Sequence, residues 1–227
     1  MTTPEHGDPF LSAAIMAHPS RMNFVEGLQE QLPDAEVHLD RERGIWDTAS
    51  RAWRAFGRAA LWHLVIQDDA VLCPDFSAHA TEALRSVEPV RPVSFYLGGP
   101  RPHAEIVEPA LDRAKQIGTP WLEMEGPWWG VAYALPVATI PEMLTWCDSV
   151  TETQRDERRI AWYFARQQIR CWYTCPSLVD HRTSEETPSL FRQGAATRQA
   201  RWFVGEDHPP TDWEREPLVI PTTVSYP

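Results

Sequence analysis

The chain has 227 residues and a mass of 26.0 kDa, with 43% hydrophobic and 23% charged residues. That length supports one large domain or two small ones, and the composition excludes a fibrous or wholly disordered chain. The formal charge of −11 argues against blanket adhesion to nucleic acid or anionic membrane, although a local arginine face is open, since Lys115 is the single lysine.

No apolar run approaches the roughly 18 residues that a membrane-spanning helix needs. The opening MTTPEHGDPF is polar and has no signal-peptide pattern, so a cytoplasmic location is expected. Cys73, Cys147, Cys171 and Cys175 form no CxxC pair and read as free thiols. A zinc site is disfavoured, because no histidine pair accompanies them.

The first element is LSAAIMA (11–17), a buried strand stopped by His18-Pro19-Ser20. Residues 21–32 carry apolar residues at helical spacing, and 36–40 alternate as a strand. Beyond Gly44, Asp47 and Thr48 are expected to cap a helix bearing Ala52, Trp53, Phe56 and Ala60. LWHLVIQDD (61–69) is a second buried strand, ending in two carboxylates. A helix over 75–86 and a strand over 93–99 follow. Residues 108–117 read as a helix, and 122–136 as one or two strands interrupted at Gly126-Pro127. Two helices over 137–144 and 155–169 come next, then a strand over 171–181.

Strands alternating with helices predict an α/β fold with a mostly parallel sheet. Ligands of such folds bind beyond the carboxyl ends of the strands, where His18, Asp40, Asp68, Asp69 and Gly98 fall. No linker divides the first 180 residues. The expected organisation is a tail (1–10), one domain (11–205) and a proline-rich arm (206–227).

Four features carry chemistry. Asp68-Asp69, preceded by Gln67, places adjacent carboxylates at a strand end, a costly arrangement unless a cation sits there; a solvated turn is the plainer reading. His181 ends an apolar strand and, paired with Asp69, would suit manganese or magnesium; alone it is an ordinary surface or hydrogen-bonded histidine. Gly126-Pro127-Trp128-Trp129-Gly130 offers indoles for a sugar ring to stack on, or simply sheet cover. Asp156-Glu157 opens a helix, as its dipole favours, or supplies a general base.

Taken in order, His18-Pro19-Ser20-Arg21, Trp46 and Trp53, LVIQDDAVLCPDF, WWGVAYALP, a helix opened by Asp156, and PSLVDH resemble the small GT-A-type glycosyltransferases of bacteriophages and bacteria over roughly residues 11–205. The acidic pair is similar to that fold's DxD motif, although it reads DD. The resemblance implies a nucleotide-sugar donor contacted by His18, Pro19, Ser20, Arg21, Asp40, Gln67 and Asp68. Trp128, Trp129 and Gly130 would border the sugar, Asp69 and His181 would hold a divalent metal (Mn or Mg), and Asp156 would act as the catalytic base. Arg182, Arg192 and Arg198 would close over the phosphates. The implied acceptors include hydroxymethylated bases of phage DNA, proteins and glycans. Two alternatives stay open: a catalytically silent nucleotide- or carbohydrate-binding module on the same fold, and a metal-dependent phosphohydrolase.

Overall fold

The computed structural model describes residues 10–98, 104–182, 198–205, 207 and 209–221. The elements run β1 (Leu11–Ala17), α1 (Met22–Gln31), β2 (Glu36–Leu39), α2 (Ile45–Arg54), β3 (Trp62–Gln67), β4 (Ala70–Leu72), α3 (Phe76–Arg85) and β5 (Val93–Ser94). Then come α4 (Ala104–Ile117), β6 (Trp121–Glu125), β7 (Ala132–Pro136), α5 (Ile140–Asp148), α6 (Asp156–Arg166), β8 (Arg170–Thr174), β9 (Val179–His181) and β10 (Leu218–Val219).

Eight strands form one sheet in the order β10-β6-β8-β5-β7-β3-β1-β2, and β4 pairs with β9 in a two-stranded ribbon. Strands β1, β2, β3, β5 and β8 share a direction, and β6, β7 and β10 run against them. This is the single-domain α/β fold with a mostly parallel sheet that the alternation predicts.

Period-2 alternation sends neighbouring side chains to opposite faces. Ile15, Leu64, Ile66 and Ala134 join the core layer that includes Val25 and Leu28 of α1 and Phe76 and Ala80 of α3. Ala14, Met16, Val65, Tyr133 and Leu135 face the opposite layer with α2, α5 and α6. A third cluster packs α4 onto β6 and β8. The tryptophans are mostly core material: Trp53, Trp62 and Trp121 are fully buried.

The elements depart from expectation where backbone chemistry overrides pattern. The strand expected over 93–99 leaves the ladder after Ser94, and Phe95 N–H bonds instead to Ala132 C=O while Phe95 C=O accepts from Val179 N–H. The strand expected over 171–181 divides at Cys175-Pro176, because proline cannot donate to a ladder, and its second half pairs with β4. Helix α2 is entered through Gly44 at φ +94°, with Asp47 in the first turn and not at the cap. Residues 209–221 return to the sheet edge: β10 pairs with β6, Trp121 Nε1 donates to Trp213 C=O, and the two indoles meet at a tilt of 54° with centroids 5.0 Å apart.

Candidate functional site

The parallel strands β1, β2 and β3 end at His18, Asp40 and Asp68. Asp40 is fixed to its neighbour by its N–H bonding Ala17 C=O at 2.8 Å. Because β7 runs antiparallel to β3, its entry, Gly130-Val131, lies at the same end, and Gln67 N–H bonds Val131 C=O at 2.8 Å. His18, Asp40, Gln67, Asp68 and Gly130, which the sequence singles out, therefore share one end of these strands.

Asp68 is buried and tied to the loop after β1. It accepts from His18 N–H at 2.6 Å and from Arg21 Nε at 3.1 Å, and its other oxygen lies 3.0 Å from Arg21 Nη2. Burial pushes its carboxyl above the ordinary value, and the His18 N–H and Arg21 offset only part of that. His18 Nδ1 folds back to Ser20 Oγ and Ser20 N–H, so Pro19 and Ser20 stand exposed at the tip of a single 3-10 turn.

Asp69 is the charge centre. Its Oδ2 lies 3.0 Å from Arg21 Nη1 and 3.3 Å from His181 Nε2. Its Oδ1 is buried with no hydrogen-bond partner among the described residues. Burial alone would raise its carboxyl; the bond to His181 and the charges of His181, Arg21 and Arg198 outweigh it and hold the group below its ordinary value. Asp69 is therefore a buried, ionised carboxylate with one oxygen in reserve. The β4–β9 ribbon brings His181 to it by pairing Ala70 with His181, and Arg182 N–H bonds Asp69 C=O at 2.9 Å. His181 Nδ1 donates to Arg182 C=O at 2.6 Å, which fixes the ring with Nε2 toward Asp69.

These two side chains fit a divalent cation: a hard carboxylate oxygen lacking a partner and an imidazole nitrogen oriented by its other ring atom. Among the described residues no group of three His, Cys, Asp or Glu side chains forms a closed cage, so the remaining ligands would come from phosphate oxygens and water.

Asp156 opens α6 and is 1% exposed, with Oδ2 lacking a hydrogen-bond partner among the described residues. Burial first, then the adjacent Glu157, lifts its carboxyl well above the ordinary range. It faces Gly130: a Cβ there would lie 3.0 Å from Gln67 Nε2 and 3.5 Å from Asp156 Oδ2. Gly130 thus separates the carboxylate from the end of β3 by the width of a missing methyl group.

Trp128 and Trp129 are half-buried. Trp129 stands edge-on to Tyr96 and Tyr173, while Trp128 packs against Trp162 and Val150. Tyr173 was not among the residues singled out, yet its hydroxyl accepts from Trp128 N–H and donates to Gly126 C=O, both at 2.7 Å, and so sets the bend that presents both indoles. Tyr96 lies 6.4 Å from the His181 ring, and Asp180 accepts from Ala200 N–H, fastening residues 198–204 beside the site. Alternation within 171–181 is the one sequence signal that points to Tyr173. Arg182 stacks on Phe24 at 4.3 Å, and the charge of Arg198 acts on both Asp69 and His181. Arg192 lies outside the described residues. A cavity of about 380 Å³ opens between Lys115, Thr119, Cys175 and Trp202; Trp202 and Val204 of the 198–204 segment line it, but Asp68, Asp69, Asp156 and His181 do not.

No family model and no curated protein matches the chain. Among solved structures it is similar to Drosophila β1,4-galactosyltransferase 7, as a mutant with manganese, UDP-Gal and xylobiose (9% identity, TM-score 0.40) and as a catalytic domain with xylobiose (10%, 0.41), each alignment covering 92% of both chains. It is also similar to a glycosyltransferase involved in glycosylation of the major capsid of PBCV-1 (10% identity, TM-score 0.37, 73% of this chain and 82% of that one). All three are glycosyltransferases, at a distance that assigns this chain no activity.

Proposed function

We propose that this chain is a metal-dependent GT-A-type glycosyltransferase, moving a sugar from a nucleotide-sugar donor to an acceptor hydroxyl. The observation that carries this reading is the Asp69–His181 pair, with its partnerless buried oxygen, at the carboxyl end of β3.

Asp69 and His181 would hold the metal, which when bound neutralises the charge gathering on the leaving diphosphate. Arg21, Arg182 and Arg198 add positive charge on the same side, in the planar form that matches phosphate oxygens. His18, Pro19, Ser20 and Asp40 border the nucleotide, and Trp129 with Trp128 borders the sugar. Asp156 takes the proton of the acceptor hydroxyl as that oxygen forms its bond to the sugar and the bond to diphosphate breaks. Its buried setting raises its proton affinity and makes it a stronger base. Gly130 leaves the space in which sugar and acceptor would meet.

Calorimetry with Mn²⁺ and each common nucleoside diphosphate tests the donor site, followed by transfer from labelled donors to glycan, protein and hydroxymethylated-DNA acceptors. Metal-dependent nucleotide binding that Asp69→Ala abolishes is expected. Nucleotide binding indifferent to metal and to Asp69→Ala overturns the reading, and binding without turnover makes the chain a silent binding module.

A further inference from the structure

Arg21 touches both carboxylates of the acidic pair. Its contacts divide unevenly. Nε donates to Asp68 Oδ2 at 3.1 Å and Nη2 pairs with its Oδ1 by charge at 3.0 Å, so that the guanidinium straddles Asp68 like a fork, whereas Nη1 alone reaches Asp69 Oδ2, at 3.0 Å. A guanidinium held by two of its nitrogens keeps its plane when the third contact is exchanged. Asp68 is 1% exposed and also holds His18 N–H, so the fork is anchored in the sheet. Asp69 Oδ2, by contrast, is shared between Arg21 and His181, the two groups that face each other across it.

We propose that Arg21 is a resident counter-cation for Asp69, which it releases to a divalent ion when a nucleoside diphosphate is present to receive the freed Nη1–H. The inference rests on the donor site proposed above and adds the order of assembly. Without nucleotide, a divalent ion must displace a guanidinium from a buried carboxylate, leaving Nη1–H without an acceptor. With nucleotide, a phosphate oxygen accepts that N–H while Asp68 keeps the rest of the fork in place. Metal and diphosphate then bind with positive coupling, and by linkage each tightens the other by the same factor. Arg21 is thus a positioning residue whose contribution is visible in binding before any chemistry.

Titrating wild-type, Arg21→Gln and Arg21→Lys proteins with Mn²⁺ alone, read by electron paramagnetic resonance of the free ion, tests this. The same titration is repeated with saturating UDP, GDP, CDP or TDP. Arg21→Gln is expected to bind Mn²⁺ alone about 10-fold more tightly than wild type and to lose most of the coupling to nucleotide, within the range usual for linked sites. Mn²⁺ affinity unchanged or weakened by Arg21→Gln overturns the proposal. Should Arg21→Gln fail to fold because Asp68 is left unpaired, Arg21→Lys decides. A single ammonium cannot hold both carboxylates in the fork geometry, so tighter binding of Mn²⁺ alone is again expected, and unchanged affinity again overturns it. If no nucleotide binds any of the three proteins, the glycosyltransferase reading fails, while the effect of Arg21 on Mn²⁺ alone is still read directly.

Discussion

Asp69 Oδ2 lies 3.3 Å from His181 Nε2, across the rung that pairs Ala70 with His181 in the β4–β9 ribbon. Backbone register sets this meeting: a one-residue slip would turn the His181 side chain to the other face. Replacing either member should therefore remove metal-linked binding without dissolving the sheet. Asp69→Asn and His181→Ala are expected to lower transfer by roughly 100-fold or more, the scale on which lost charge stabilisation acts. Circular dichroism should stay unchanged while calorimetry with Mn²⁺ and nucleotide loses its heat.

Asp156→Asn should separate chemistry from binding. Loss of a positioned base costs about 10²–10⁴-fold in turnover, whereas nucleotide affinity should persist. Since burial, then Glu157, raises the folded carboxyl, wild-type kcat/KM should fall as pH drops through a value above the ordinary carboxylate range. The sign for stability is opposite. A carboxyl with a raised folded pKa destabilises the native state at pH above that value, so the Asn variant should unfold at higher urea at neutral pH. An acid limb near the ordinary value, or turnover unaffected by Asp156→Asn, would remove Asp156 from the mechanism.

Gly130→Ala tests the gap between Gln67 and Asp156. The added methyl would meet Gln67 Nε2 at 3.0 Å, a contact relieved by a shift of a few tenths of an ångström in that side chain. A rate loss of about 10-fold is expected, because small misplacements near reacting atoms are costly. The melting temperature should change little, and a large drop in it would mark the position as a packing site.

His63 should govern acid stability. It is fully buried between α2 and β1: Nε2 donates to Ala52 C=O at 2.9 Å, and Nδ1 lies 2.9 Å from Ser12 Oγ. Burial, opposed by the bond to Ala52, lowers its pKa to about 4. The unfolded chain therefore takes up a proton near pH 6.5 that the native state refuses. Stability is full above that pH and declines as pH falls toward about 4, by about 3 kcal/mol in all. Urea unfolding across this window should show the slope, and His63→Asn should flatten it.

Much of this architecture is legible in the sequence because apolar runs ending abruptly in polar residues mark buried strands and their ends; His18, Asp68 and His181 all stand at such ends. Asp156 is legible as the start of α6. The rest depends on contacts that no local window contains. Arg21 meets Asp68 and Asp69 across 47 and 48 positions, and β9 finds β4 across more than 100. Pro176 does signal the break between β8 and β9 locally, but not which strand the second half joins. The tryptophans divide by position, Trp53, Trp62 and Trp121 filling core while Trp128 and Trp129 stay half-buried, and only the fold distinguishes them.

The return of residues 209–221 to β6 has a practical consequence. An edge strand with unpaired N–H and C=O groups is a template for other chains. β10 covers that edge, with Thr119 Oγ1 fastened to Glu216 C=O and Trp213 seated against Trp121. A chain ended at residue 205 would leave β6 open and Trp121 without its cover, and should associate through that edge. Light scattering of the shortened chain beside the full one would register it, so an affinity tag belongs at the other terminus.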